Sequence, residues 1–249
     1  MFVKSIGTVR ACVLALTLAA LAATTASALE TARMKLPAEF AAAAERIPAR
    51  GYGGANRGRY SIGEFQGDFV RIGSRFAVFD PAYASNHGKS SFTLEGPGLD
   101  GTVRAECRFS ERVVTVGVVT FDARKLAYVC DIHGDNGLVG NLTVGQPKPE
   151  GLRARVLARA DRRGVARIGA IQIDIESVHQ YEGSKIGSQT AVGYVLSVGA
   201  GVVGALELTD VEPTFLLLRH AEPEIRQAAL IAAIGLSVLR DPAESTLGD

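Results

Sequence analysis

From Arg59 to Leu218, apolar and polar side chains alternate with a period of about two, broken by glycine, proline and asparagine. The alternation runs through RYSIGEF, DFVRIGSRFAVFD, SSFTLEG and TVRAECRFS, then RVVTVGVVTF, KLAYVCDI, GLVGNLTV and LRARVLARA. It resumes in VARIGAIQIDIESV, TAVGYVLSV, GVVGALEL and PTFLLL. Successive side chains of a strand point to opposite faces, so each segment can give one face to a core and the other to water. These segments predict about twelve antiparallel strands with almost no helical signal between them, hence a mainly β barrel or sandwich rather than alternating strand–helix units.

The pattern changes at both ends. In EPEIRQAALIAAIGLSVLRDP, Glu222 to Pro242, Pro223 suits a first helical turn, and Glu222 and Glu224 suit the positive end of the helix dipole. Arg240 suits the negative end, and Asp241-Pro242 stops the helix. Ala228 to Leu239 is apolar nearly all the way round, so this helix must be surrounded by protein or lipid. Its 12 apolar residues fall short of the ~20 needed to cross a bilayer. The arrangement expected is a barrel closed around the helix, with Gly235 and the alanines letting strands come close. At the other end, Pro37 opens a short helix, Ala38 to Arg46, that Pro48 closes, and GYGGANRG, Gly51 to Gly58, reads as a flexible linker.

The first 28 residues read as a cleavable signal peptide. Lys4 and Arg10 precede the apolar run Ala11 to Ala23, and Ala26-Ser27-Ala28 offers small residues for cleavage before Leu29. The run is too short to remain as a membrane span, and Cys12 lies inside it rather than at a lipoprotein cleavage point. The expected organisation is therefore signal peptide 1–28, extension 29–58, barrel domain 59–242 and a disordered tail 243–249. Removing Lys4 and Arg10 from the 27 basic residues leaves 25 against 26 acidic ones. A nucleic-acid binder needs a basic stripe to displace counterions, so that class is disfavoured. Abundant alanine and arginine fit a GC-rich bacterial genome, and the leader implies a periplasmic or secreted protein with no transmembrane helix after processing.

Processing leaves Cys107 and Cys130, an even pair that suits a disulfide in an exported chain. If Thr102–Ser110, Val113–Phe121 and Leu126–Ile132 formed a simple meander, the two cysteines would sit on its outer strands, about 9–10 Å apart. That exceeds the ~7 Å Cα limit for a bridge, so a bond and the simple meander exclude one another.

The order of elements, with the hairpin GYVLSVGAGVVGALEL and the terminal IRQAALIAAIGLSVLRDP, resembles the tubby-like fold shared by tubby, LURP-one-related and phospholipid scramblase proteins. The resemblance spans Tyr60 to Pro242. It implies a barrel around a central helix and binding of lipids or their headgroups, with no shared catalytic site. The eukaryotic members act inside cells, and their calcium loop and phosphoinositide patch have no counterpart in this sequence, so no functional residue carries over.

Candidate chemistry is sparse. Gly199, Gly201 and Gly204 match G-x-G-x-x-G, but the Leu206/Leu208 alternation that follows predicts a strand, and a dinucleotide site needs a helix there. The reading is a hairpin turn, with no nucleotide cofactor. Asp131, His133 and Asp135 in CDIHGDNG resemble the first metal-binding element of calcineurin-like phosphoesterases, without the later G-N-H element. They define the alternative reading of a periplasmic metal-dependent hydrolase. Asp174 and Glu176 share a strand face that reads as solvated, and no nucleophile elbow is present. Arg71 and Arg75 share a strand face and could meet an anionic headgroup. The expectation is an exported, non-enzymatic envelope protein that binds a lipid, an apolar ligand or a partner protein.

Overall fold

Glycine-bearing turns fold the alternating segments back on their neighbours, and the resulting sheet curls until its first and last strands pair. The computed structural model describes residues 32–76, 85–110, 115–116, 119–120, 127–147 and 161–239. The expected leader, the segment Leu152–Ala160 and the tail 243–249 lie outside those residues. The strands are β1 (Ala44–Arg50), β2 (Arg57–Ile62), β3 (Phe65–Phe76), β4 (Ser85–Leu94), β5 (Val103–Ser110), β6 (Thr115–Val116) and β7 (Val119–Thr120). They continue with β8 (Ala127–Gly134), β9 (Gly137–Gly145), β10 (Arg163–Ile168), β11 (Ile171–Val178), β12 (Gly193–Val198), β13 (Gly201–Glu207) and β14 (Thr214–Leu218). Twelve of them close an antiparallel barrel in the order β1-β14-β13-β12-β11-β10-β9-β8-β5-β4-β3-β2, and β2 returns to β1.

The helices are α1 (Ala38–Ala43) and α2 (Pro223–Ser237). Every residue of α2 from Ala228 to Ser237 is buried. Strands approach it from several sides: a Cβ at Gly204 of β13 would stand 3.2 Å from that of Ala229, and one at Gly235 would stand 3.3 Å from Leu142 of β9. Burying Leu230, Ile231, Ile234 and Leu236 alone is worth about 6–12 kcal/mol at about 1.5–3 kcal/mol per large side chain. No polar contact to the helix approaches that sum. The apolar run thus stands at the centre of the sheet, and among the described residues no helix is long and apolar enough to cross a membrane.

Twelve strands are reached by a different set from the one the alternation predicts. The stretch VARIGAIQIDIESV is two strands, β10 and β11, paired through Ile168↔Ile171. Of the expected strand Arg112–Phe121, the described residues, β6 and β7, stand outside the barrel and pair only with each other. The simple meander is therefore wrong, because β5 pairs directly with β8 and sets Cys107 opposite Cys130.

The N-terminal extension also departs from expectation. Helix α1 stops at Ala43, and Ala44–Arg50 is a barrel strand, so the barrel begins before residue 59. Pro48 fits inside β1 because the Ala49 N–H donates to Pro213 on the β14 side, which leaves the Pro48 nitrogen facing β2. Pairing with β2 begins only at Ala49, so no ladder bond is lost. The segment before β1 lies over the outer face of the barrel, where Met34 and Phe40, with Ala44 at the start of β1, pack on Val192, Ala205 and Leu216. Beneath them the buried Glu207 carboxylate accepts the Met34 N–H at 3.0 Å and pairs with Arg46 at 2.7 Å.

Candidate functional site

A helix leaves its last carbonyls without intrahelical partners, and the last turn of α2 is buried among the strands. The sheet supplies those partners. Tyr128 of β8 donates its hydroxyl to the Gly235 carbonyl at 2.8 Å and lies 3.2 Å from the Ser90 hydroxyl. Arg71 of β3 donates through Nη2 to the Ser237 carbonyl at 2.8 Å, placing a cation at the negative pole of the helix. Its guanidinium lies over the rings of Tyr52 and Phe69, 5.1 and 4.7 Å from their centroids. Those rings stack at 4.9 Å, and the Ser237 hydroxyl reaches the Tyr52 hydroxyl at 3.0 Å. Burial pushes the phenols of Tyr52, Tyr60 and Tyr128 well above the usual tyrosine range, so all three are neutral hydrogen-bonding groups.

The end of the barrel where α2 terminates also carries the connections β1–β2, β11–β12 and β13–β14. Together with Arg71, Ser237 and Leu239 they wall a half-open cleft of about 390 Å³. Its lining is mixed: Asn56, Thr190 and Tyr181 offer polar groups, Val192, Leu208 and Pro213 are apolar, and Asp210 brings a carboxylate. Two walls are tied together by Glu212. Its Oε1 accepts the N–H groups of Gly51 at 3.2 Å and Gly53 at 2.9 Å, and its Oε2 accepts that of Tyr52 at 3.0 Å. The cleft therefore has a held shape.

A second polar group stands at the same end, where β10 and β11 begin and finish. His179 is buried, with Nε2 3.0 Å from the Ser177 hydroxyl and 3.4 Å from Asp161. Ser, His and Asp invite comparison with a nucleophilic triad, but a triad places the acid and the hydroxyl on opposite ring nitrogens. Here both face Nε2, and among the described residues the buried Nδ1 has no hydrogen-bond partner. The Ser177 hydroxyl also accepts the Arg162 N–H at 2.9 Å. This geometry fastens β10 to β11 and does not activate a nucleophile.

The residues singled out from sequence have different fates. Arg71 is drawn inward to the helix terminus and forms part of the cleft wall rather than decorating the exterior. Arg75 is placed on β3 by its pairing with Asn86, and its side chain lies outside the described residues. Asp131 and His133 sit on the outer face of β8, with Asp135 in the turn beyond. Arg108 donates to Asp131 at 3.0 Å and Arg104 to Asp135 at 3.4 Å. Among the described residues no cluster of three His, Cys, Asp or Glu side chains could hold a metal ion. Cys107 and Cys130 are joined in a disulfide, with their Cα atoms 4.0 Å apart. Gly199, at φ +58, turns the β12–β13 hairpin, and Gly204 lies in β13 against the helix. Glu176 pairs outward with Arg163 at 3.0 Å.

Sequence reasoning missed Tyr52 and Glu212, and it weighed His179 only as a partner for nearby carboxylates or a cysteine and gave it no role. Tyr52 is a lone aromatic among the glycines of GYGGANRG, and an aromatic in a supposed linker is the signal that could have found it. Glu212 stands beside Pro213 in TDVEPT without any local pattern, since its partners lie about 160 residues away. Comparison of the chain with family models, with curated proteins and with solved structures returns no match.

Proposed function

We propose that this is an exported, non-enzymatic protein of a bacterial envelope that receives an amphipathic ligand, a lipid headgroup region or a partner segment at the barrel mouth. The observation that carries the reading is the cleft of about 390 Å³, within the range of small-molecule sites and walled by loops on a rigid barrel. Because α2 fills the interior, a ligand meets loops and rim rather than the lumen. The tubby-like resemblance points to the same class of lipid-related ligand.

Export is supported by two features. The Cys107–Cys130 bond belongs to an oxidising compartment. Arg33, whose carbonyl accepts the Glu182 N–H at 2.8 Å, and Met34 both follow the expected cleavage point before Leu29, so a processed chain keeps all the packing described above. The hydrolase alternative has less support, since Asp131 and Asp135 face arginines rather than a shared ligand position.

The reading is tested by expressing the full chain with its leader, extracting it mildly and recording native mass spectra. A bound mass that disappears in Thr190→Phe, which fills the cleft, is the expected result. Identical ligand-free spectra for both proteins would remove the binding reading. Stoichiometric zinc, manganese or iron in the purified protein would restore the hydrolase.

A further inference from the structure

We propose that the backbone of Gly51, Tyr52 and Gly53 is a receptor for an oxyanion, with Glu212 as its built-in occupant, displaced when a carboxylate- or phosphate-bearing ligand enters the cleft. This deepens the binding reading above and rests on it. Consecutive main-chain N–H groups converging on one point form a concavity with the partial positive charge that anions seek. Here three of them converge on a single carboxylate, at 2.9 to 3.2 Å. The concavity is built into the chain. Gly51 and Gly53 have φ of +94 and +44, in the left-handed region that side chains disfavour. A Cβ at Gly51 would stand 2.2 Å from the Arg59 carbonyl oxygen, so only glycine fits there.

Its position links it to the cleft. Gly54, the next residue along the chain, and Val211 and Pro213, which flank Glu212, all line the cavity. The Arg71 guanidinium adds a fixed positive charge to the same cavity. Asp210 opposes it, although its Oδ1 already accepts the Val211 N–H at 2.7 Å. Glu212 is half-buried and its bonds to Gly51 and Gly53 are solvent-exposed, so the carboxylate can leave without opening the core. A tethered carboxylate competes at an effective concentration on the order of millimolar or above. A simple anion therefore fails to displace it, whereas a ligand that also fills the cleft adds the contacts needed.

The test removes the occupant and asks whether free anions replace it. Thermal unfolding is followed for the wild type and Glu212→Ala in acetate, in inorganic phosphate and in chloride at matched ionic strength. In E212A, acetate or phosphate at about ten times its Kd is expected to raise Tm by about 3–6 °C, saturably. Wild type is expected to move by less than about 1 °C, and chloride to move neither. The preferred anion tells carboxylate ligands from phosphate ligands. A folded E212A that gains nothing from either anion overturns the proposal.

If E212A does not fold, Glu212→Gln is titrated with the same anions by amide NMR. Movement of the Gly51, Tyr52 and Gly53 resonances sustains the proposal, and movement elsewhere or none overturns it. The two readings fail separately. Anion rescue without a Thr190-dependent ligand removes the cleft reading alone, and a Thr190-dependent ligand without rescue removes the receptor alone.

Discussion

Removing the Cys107–Cys130 bond should destabilise the barrel by an amount calculable from its place in the chain. The bond closes a loop with a sequence separation of 23 residues. The chain-entropy relation gives about 3.4 kcal/mol at 25 °C for a loop of that length. For a domain of this size about 1 kcal/mol corresponds to about 2–4 °C, so Tm should fall by about 7–14 °C. Both side chains are buried, so alanine is the better replacement, because serine would bury a hydroxyl with no assured partner. Each single change breaks the same bond, so Cys107→Ala, Cys130→Ala and the double variant should lose similar stability rather than additive amounts. The assay is differential scanning calorimetry, with alkylation of the unreduced, unfolded wild type followed by mass spectrometry. Two alkylated cysteines in that sample, or a double variant melting within about 1 °C of wild type, would refute the reasoning.

Three further outcomes follow from the packing around α2. Tyr128→Phe should lose about 1–3 kcal/mol in chemical denaturation, because it leaves the buried Gly235 carbonyl without its hydroxyl donor. Gly204→Val should lower Tm more than Gly201→Val, since a Cβ at position 204 meets Ala229 at 3.2 Å while one at position 201 has its nearest neighbour, the Val198 carbonyl oxygen, at 3.8 Å. The buried phenols have folded pKa values raised above 10.0, so their contribution is complete below about pH 10 and is lost as pH rises beyond it. Phenolate absorbance at Tyr52, Tyr60 and Tyr128 should therefore appear together with loss of the circular-dichroism signal above pH 10, and noncooperative titration of these three while the fold persists would contradict their burial.

The barrel class and the central helix were legible because both arise from local periodicity. Alternation along GYVLSV and GVVGALEL shows which faces are apolar, and the unbroken apolar run of α2 demands enclosure whatever surrounds it. Register was not legible. Arg112–Phe121 alternates as well as any neighbouring segment, and nothing local shows that β5 prefers β8. The start of the barrel was missed because Ala38–Arg46 has helical composition, and pairing with Leu216, Leu217 and Leu218 overrides that propensity from Ala44 onward. The cleft was the least legible feature. Arg71 reads as a surface arginine until a helix terminus is placed beneath it, and Glu212 has no meaning until the β1–β2 connection is brought beside it.

The pairing of Ala44 with Leu218 sets an order of assembly. The ribosome delivers the chain from its amino end, yet the seam joins segments separated by nearly the whole fold, and the plug arrives after every stave. Until β14 emerges the nascent sheet has two raw edges, and until α2 follows it has a greasy hollow, states prone to sticking to their neighbours. A chain cut short after Leu218 is thus not a smaller barrel but an unfinished one, and its fate should be aggregation or proteolysis rather than a weaker version of the whole.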